Sequence, residues 1–376
     1  MGKNVVLIMS GYNNRAVVSF CRFCEKNDIS FFIIAMGEDD IINFTEYSKY
    51  IILKRKSKAL HLDDFLLYKN KIKEKHDIDK LVVLPSSEFL NRFLLDNLTE
   101  LEENNFIVPL TDEKLYQEVS DKYSFCELCE KNDIRIPKEY RSIDEANIPF
   151  VAKPKQYFID GKITNEKPVL IMNKGDYESF NQQKNKDDFY YQEFVGGDSF
   201  YLLYYFSKNG EYSVFSQKNL IQQDNGLSII GAKSSDFHHN NIADKYADLF
   251  VKKGFVGLIM IEVKAFNDEV YMIEANPRLW GPSQLILDAN MDLFYKFALD
   301  FGLINEEYNY SSIYKEDITY FWSGGIHQDL DNNNQPVFHQ YDELSFFNEY
   351  QNWVQNDVYL KEDSISVYFS ELKKDI

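Results

Sequence analysis

The stretch VGLIMIEVKAFNDEVYMIEANPRLWGPSQ, residues 256–284, decides how the chain is read. Two apolar runs, 256–264 and 270–275, flank a polar turn holding Asn267 and Asp268, which is the pattern of a β-hairpin. A loop over 265–269 pairs Lys264 with Val270, so that Met260 faces Glu274 and Glu262 faces Met272. Side chains alternate between faces along a strand. Glu262, Glu274 and Asn276 therefore leave one face together, with the two carboxylates as diagonal neighbours about 7 Å apart. Two carboxylates on a half-buried face repel each other, and a hard cation relieves that. Magnesium prefers oxygen ligands, is commonly held by one or two carboxylates, and completes its shell with phosphate oxygens and water. Arg278 follows two residues on, where its planar fork suits a phosphate or a carboxylate. The plain alternative leaves both glutamates solvated on the outer face of an antiparallel hairpin.

The run Ile273-Glu274-Ala275-Asn276-Pro277-Arg278-Leu279-Trp280-Gly281 resembles the glutamate-x-asparagine-x-arginine signature of the ATP-grasp ligases. A carboxylate 12 residues upstream, as Glu262 stands, belongs to the same pattern. The resemblance implies ATP as nucleotide, magnesium (with manganese as a substitute) on Glu262, Glu274 and Asn276, and Arg278 as a catalytic residue.

Other segments extend the resemblance over roughly residues 3–300. The strand FVAKP, 150–154, is similar to one whose lysine before proline contacts the α-phosphate, which implicates Lys153. A compact ammonium on a rigid strand supplies charge to phosphate oxygens without a fixed fork. The family continues into a glycine-rich loop over the phosphates, but residues 156–162 read QYFIDGK with one glycine. Lys167, before a strand over 168–172, stands as the second nucleotide lysine. Residues 189–203, FYYQEFVGGDSFYLL, resemble the adenine-binding hinge. The likeness sets Gln192, Glu193, Phe194 and Val195 along the adenine and Asp198 on a ribose hydroxyl, with Gly196 and Gly197 permitting the turn. A strand ending in a Gly-Gly turn explains the same text without a ligand. Lys218, on a strand over 213–220, is assigned as a catalytic residue facing the phosphates. For Lys233 a place facing the phosphates and plain surface solvation are equal alternatives.

A chain of 376 residues exceeds one ordinary core. Its net charge of −19, from 41 basic and 60 acidic residues, argues against a nucleic-acid backbone or an anionic membrane surface as partner. The opening MGKNVVLIMSGYNN has five consecutive apolar residues and no small-residue cleavage site, so it reads as a first strand and not a signal peptide. With no apolar run near 18 residues, the expectation is a cytoplasmic protein acting on small molecules, with a homo-oligomer compatible.

Four cysteines form two CxxC pairs, Cys21/Cys24 and Cys126/Cys129, which taken alone is zinc-site spacing. The surrounding segments SFCRFCEKNDI and SFCELCEKNDI agree at nine of eleven positions and read as helix ends. Cysteines three apart on a helix share a face and behave as small buried hydrophobes.

Residues 3–110 alternate strand-like and helix-like runs, with strands expected over 4–9, 31–35, 50–53 and 81–84 and a helix over 15–26. That alternation means a parallel sheet covered by helices, with ligands at the carboxyl ends of the strands. The loops 10–14 and 85–88 lie there, although N-capping by Asn or Ser explains their residues without a ligand. A polar helix is expected over 112–131. The fold class is α/β: an N-terminal Rossmann-like domain over 1–110, an ATP-grasp lid subdomain over 111–190, a second subdomain with the hairpin over 191–309, and an extension over 310–376. The activity implied is an ATP-dependent carboxylate–amine ligase forming an amide through an acyl phosphate and releasing ADP and phosphate. The alternatives are a small-molecule kinase and a non-catalytic nucleotide- or zinc-binding module.

Overall fold

The computed structural model describes residues 3–155, 158–159, 162–163, 167–305 and 313–373. Strands β1 (Lys3–Met9), β2 (Phe31–Ala35), β3 (Ile51–Lys54), β4 (Ile78–Val83) and β5 (Phe106–Ile107) form a parallel sheet ordered β3-β2-β1-β4-β5. Five consecutive buried residues in β1 and in β2 show both faces covered. Helix Asn14–Lys26 packs on one face, and Leu62–Lys73 and Glu88–Asp96 pack on the other.

Strands β6 (Glu139–Tyr140), β7 (Phe150–Pro154), β8 (Phe158–Ile159), β9 (Lys162–Ile163), β10 (Val169–Ile171) and β11 (Phe189–Glu193) follow. Four of them make an antiparallel sheet ordered β10-β7-β11-β6, while β8 pairs with β9. Of the glycine-poor stretch 156–162, only the backbone at Phe158, Ile159 and Lys162 lies within the described residues.

The largest sheet contains β12 (Asp198–Phe206), β13 (Tyr212–Gln222), β14 (Ile229–Ser235), β15 (Gly257–Phe266), β16 (Glu269–Asn276) and β17 (Thr319–Phe321) in the order β16-β15-β12-β13-β14-β17. A further strand, β18 (Val337–Phe338), pairs with β13. On one face Phe200, Leu202, Tyr204, Ile259 and Ile261 pack against helices Glu113–Ser120, Lys122–Glu130 and Asn241–Lys253. On the other, Tyr201, Leu203 and Met260 meet helix Asn14–Lys26 and the C-terminal segment. Gly197, at φ 85°, immediately precedes β12, where any Cβ would collide with the Ala265 carbonyl. Among the described residues, no helix is long and apolar enough to cross a membrane.

Three expectations need correction. The hairpin turns on two residues, not five: Phe266 pairs with Glu269, and Asn267 and Asp268 take φ of 52° and 62°, the primed turn that matches strand twist. Ile273 is then a bulge, since Val263 faces Met272 while Glu262 faces Glu274 directly. The expected helix over 112–131 is two helices broken at Asp121. That residue is extended, and its carboxylate accepts hydrogen bonds from the Tyr123 and Ser124 amides at 3.0 Å each. The third correction is to the catalytic assignment of Lys218, which lies on the wrong face of the sheet, as shown below. The two cysteine pairs lie on helices in separate cores, and burial pushes all four thiols up.

The C-terminal segment is woven into the rest through β17 and β18 and through a polar clasp. Arg22 donates from Nε and Nη2 to Asp363 at 2.8 and 2.7 Å, and the Tyr47 hydroxyl donates to the same carboxylate at 2.7 Å. Burial opposes the Asp363 charge, yet these donors hold it below the usual carboxylate range. A depressed carboxylate stabilises the fold above its ordinary pKa, and that contribution is lost as pH falls through the folded value. Asp363→Asn is therefore expected to cost about 2 kcal/mol at neutral pH. In urea unfolding the difference should narrow below about pH 4; a gap that stays constant with pH would remove the charge from the explanation.

Candidate active site

The bulge and the tighter turn shift the register by two residues in total, so the expected faces are preserved. Glu262 and Glu274 face each other on the same side as Asn276. Glu262 is buried, and its Oε1 accepts a hydrogen bond from the Ser199 hydroxyl at 3.4 Å. Burial, and then the facing charge of Glu274, push the Glu262 carboxyl up. Burial opposes the Glu274 charge as well, but the Lys122 ammonium, bonded to its Oε2, and the Asn276 amide, bonded to its Oε1 at 2.8 Å, hold it down. Arg278 donates from Nη2 to Asn276 Oδ1 at 3.0 Å and from Nη1 to the Leu279 carbonyl at 2.8 Å. The result is a fixed chain of Glu274, Asn276 and Arg278 beside a second, buried carboxylate that accepts from the Ser199 hydroxyl.

Two ammonium groups face this pair. Lys153, buried on β7, donates to the Ile273 carbonyl at 3.3 Å, so the antiparallel sheet meets the hairpin at its bulge. Burial, followed by the neighbouring Lys122, pushes the Lys153 amine down to about 8. An arriving phosphate would oppose both effects. Lys122 was not foreseen in the sequence. It begins its helix directly after the Asp121 cap, and the packing of that helix on β16 brings it to Glu274.

The hinge residues occupy the end of β11. Gln192 is fully buried, donates to Cys126 Sγ at 3.5 Å, and has no partner for Oε1 among the described residues. The exposed Glu193 donates its amide to the Lys138 carbonyl at 2.8 Å, and half-buried Phe194 donates to the Pro149 carbonyl at 3.4 Å. Val195 is buried. Lys167 is exposed just before β10.

Lys218 corrects the sequence reading. It faces Phe200 across β12, and Phe200 faces Val263, whereas Glu262 faces Tyr201. Lys218 and the carboxylates therefore leave opposite sides of the sheet. Lys218 Nζ pairs with Asp198 at 2.8 Å and lies 5.8 Å from the Phe200 ring centroid, so the intended ribose ligand is occupied on that far face. Lys233 lies 5.8 Å from the Trp353 ring centroid. On the carboxylate side stands a buried polar chain that sequence reading missed. Gln217 donates to Asn219 at 2.8 Å, Asn219 donates to Ser199 at 3.0 Å, and Ser199 donates to Glu262. Its signal was weak, because Gln217 and Asn219 stand in the unbroken polar run Ser216-Gln217-Lys218-Asn219, which does not mark either face of the strand.

A cavity of about 650 Å³ opens from Glu274, Asn276 and Arg278 toward the loops after β1 and β4. Ser87 caps its helix, accepting from the Leu90 amide at 3.3 Å, as capping alone would require. Asn13 does not cap. At φ 51° its amide instead donates to the Leu279 carbonyl at 2.8 Å and the Ser86 carbonyl at 3.3 Å, tying both loops to the segment after the hairpin.

The chain has the ATP-grasp fold. The biotin carboxylase domain of the Hydrogenobacter thermophilus 2-oxoglutarate carboxylase, solved with MgADP, ADP and bicarbonate, is similar at a TM-score of 0.58 and 12% identity, over 82% of this chain and 71% of that one. N5-carboxyaminoimidazole ribonucleotide synthetase in complex with ADP is similar at 0.54 and 16% identity, over 77% and 73%. The Thermotoga maritima synthetase of that name is similar at 0.51 and 15% identity, over 81% and 77%. No family model matches the chain, and no curated protein matches it in sequence.

Proposed function

We propose that the protein is an ATP-dependent carboxylate–amine ligase that activates its acceptor as an acyl phosphate and releases ADP and phosphate. The observation that carries this reading is the directly opposed pair of buried Glu262 and half-buried Glu274, continued through Asn276 to Arg278 at the mouth of the cavity. Oxygen donors that repel each other at a partly shielded site suit magnesium, which when bound would neutralise charge on the nucleotide's phosphate oxygens.

The chain's own residues divide the remaining work. Lys122 and Lys153 hold phosphate oxygens as point charges. Gln192 offers its unpartnered Oε1 to the adenine amino group, at the hinge formed by Glu193, Phe194 and Val195. Arg278 is already oriented by Asn276 and the Leu279 carbonyl. It steadies the transferring phosphoryl group while the acceptor carboxylate attacks in line, and then the tetrahedral adduct formed by the amine. Closure over the phosphates keeps water from the acyl phosphate.

Product analysis tests this reading. With carboxylate acceptors screened from bicarbonate, which one structural neighbour binds, to amino and sugar acids, ADP and phosphate should appear only when an acceptor is present. Hydroxylamine should trap the intermediate as a hydroxamate. A stable phosphorylated product without phosphate release would make the protein a kinase, absence of nucleotide consumption would make it a binding module, and AMP with pyrophosphate would end the acyl-phosphate route.

A further inference from the structure

Arg15, in the first turn of helix Asn14–Lys26, is fixed in the cavity wall by the C-terminal segment. Its guanidinium carbon lies 3.7 Å from the Trp322 ring centroid. Nη1 donates to the Ile229 carbonyl at 2.9 Å and to the Tyr320 hydroxyl at 3.2 Å. Its opposite edge faces Gly281, where an added Cβ would fall 2.9 Å from Nη2. Glycine at 281 therefore keeps that edge of the fork clear.

Two further sets of donors adjoin it. Helix Asn14–Lys26 begins without a side-chain cap, because Asn13 is turned to the Leu279 and Ser86 carbonyls. Trp280, next to Gly281, lines the same cavity, is 1% exposed, and has no hydrogen-bond partner for Nε1 among the described residues. A buried indole N–H normally has an acceptor. The Ala16 and Val17 amides donate to the Asn13 carbonyl at 3.0 and 3.1 Å, so the helix start offers the Asn14 and Arg15 amides, and these, the guanidinium and the indole are all donors. The cavity's carboxylates are engaged elsewhere: Glu371 by the Trp322 indole at 3.1 Å, Glu88 by Arg92 and Tyr116 at 2.7 Å each, and Glu274 by Lys122. A wall of donors on the side of an open-mouthed cavity is matched by an anion, and a planar fork fits a carboxylate.

We infer that Arg15, Trp280 and the first turn of helix Asn14–Lys26 form a carboxylate subsite, with Trp322 holding Arg15 in place. At least one of the two substrates then carries a carboxylate that is bound but not activated. That statement about substrates rests on the ligase reading, whereas the subsite does not. A cavity of about 650 Å³ has room for both an acceptor and an amine. The anion belongs either to an amino-acid nucleophile or to a dicarboxylic acceptor, and paired probes separate the two sources.

The test is equilibrium binding by thermal shift, without nucleotide or magnesium, to the full chain. L-alanine and L-phenylalanine are compared with their amides, and succinate with succinamate. In the wild type, removing the carboxylate should weaken binding at least about tenfold in one of these sets. The amino-acid set assigns the anion to the nucleophile, and the succinate set assigns it to the acceptor. Arg15→Gln should bring the ratio close to one, and Arg15→Lys should restore part of it, because charge survives while the fork is lost. Trp322→Leu, which removes the stacking partner and also releases Glu371 from the indole, should lower the ratio as well. The proposal is overturned if no set discriminates in the wild type. It is equally overturned if Arg15→Gln, or Arg15→Lys should the glutamine variant not fold, leaves the ratio unchanged. A protein that gives no acyl phosphate yet loses its carboxylate preference in Arg15→Gln would keep the subsite and lose the reaction class.

Discussion

Glu274→Gln is expected to remove turnover, by at least about a thousandfold, the scale of several kcal/mol of charge stabilisation at a metal-assisted centre. The substitution keeps shape and one carbonyl oxygen, so what it removes is charge. In the resting protein that charge is attracted by Lys122 and repelled by Glu262 directly opposite, while the Asn276 amide donates to an oxygen that glutamine keeps. Losing both together leaves the fold nearly balanced, and the unfolding midpoint should move by no more than a few degrees, as for about 1 kcal/mol. Asn276→Ala should act similarly for a different reason, because that amide donates to Glu274 and accepts from Arg278, so its loss frees both neighbours. Nucleotide binding separates chemistry from folding. ADP affinity measured in chelator should change little in either variant, while the gain in affinity on adding millimolar magnesium should disappear. Near-wild-type turnover at millimolar magnesium in either protein would sink the reading of this hairpin as a metal site.

How much of this was legible depends on which residues declare their face. In β15 and β16 the two carboxylates stand among apolar neighbours, so parity alone put Glu262, Glu274 and Asn276 together, and a two-residue error in register could not move them to the other side. Strand β12 reads DSFYLLYYF and is buried along nearly its whole length on both faces, so nothing in it marks an inner side. The sidedness of its neighbour β13 was lost with it, and Lys218 was assigned to a face it does not occupy. Lys122 was invisible for another reason. A lysine after an aspartate at a helix start looks like a solvated first-turn residue, and only the docking of that helix on the hairpin gives it a carboxylate. The C-terminal segment is a stronger case of the same limit. Trp322 carries no chemistry in sequence, yet contact with Arg15 across more than three hundred residues makes it part of the cavity.

Arg278→Lys is expected to separate nucleotide binding from phosphoryl transfer, because lysine keeps the charge and loses the geometry. The native guanidinium is held by two donated bonds, Nη2 to Asn276 at 3.0 Å and Nη1 to the Leu279 carbonyl at 2.8 Å, which aim the remaining N–H groups at the cavity. A lysine ammonium cannot both keep those anchors and present a planar pair of donors. Ground-state attraction for phosphate survives as a point charge, so ATP affinity should stay within about tenfold, or ~1.4 kcal/mol. Hydroxamate yield should fall by at least about a hundredfold, the scale of losing one preorganised transition-state donor. The two numbers test different claims. Weakened ATP binding with an unchanged ratio of hydroxamate to bound nucleotide would make Arg278 an affinity residue that acts equally on ground and transition states. An unchanged hydroxamate yield would remove it from the mechanism and leave Lys122 and Lys153 as the cations to test at the transferring phosphoryl group.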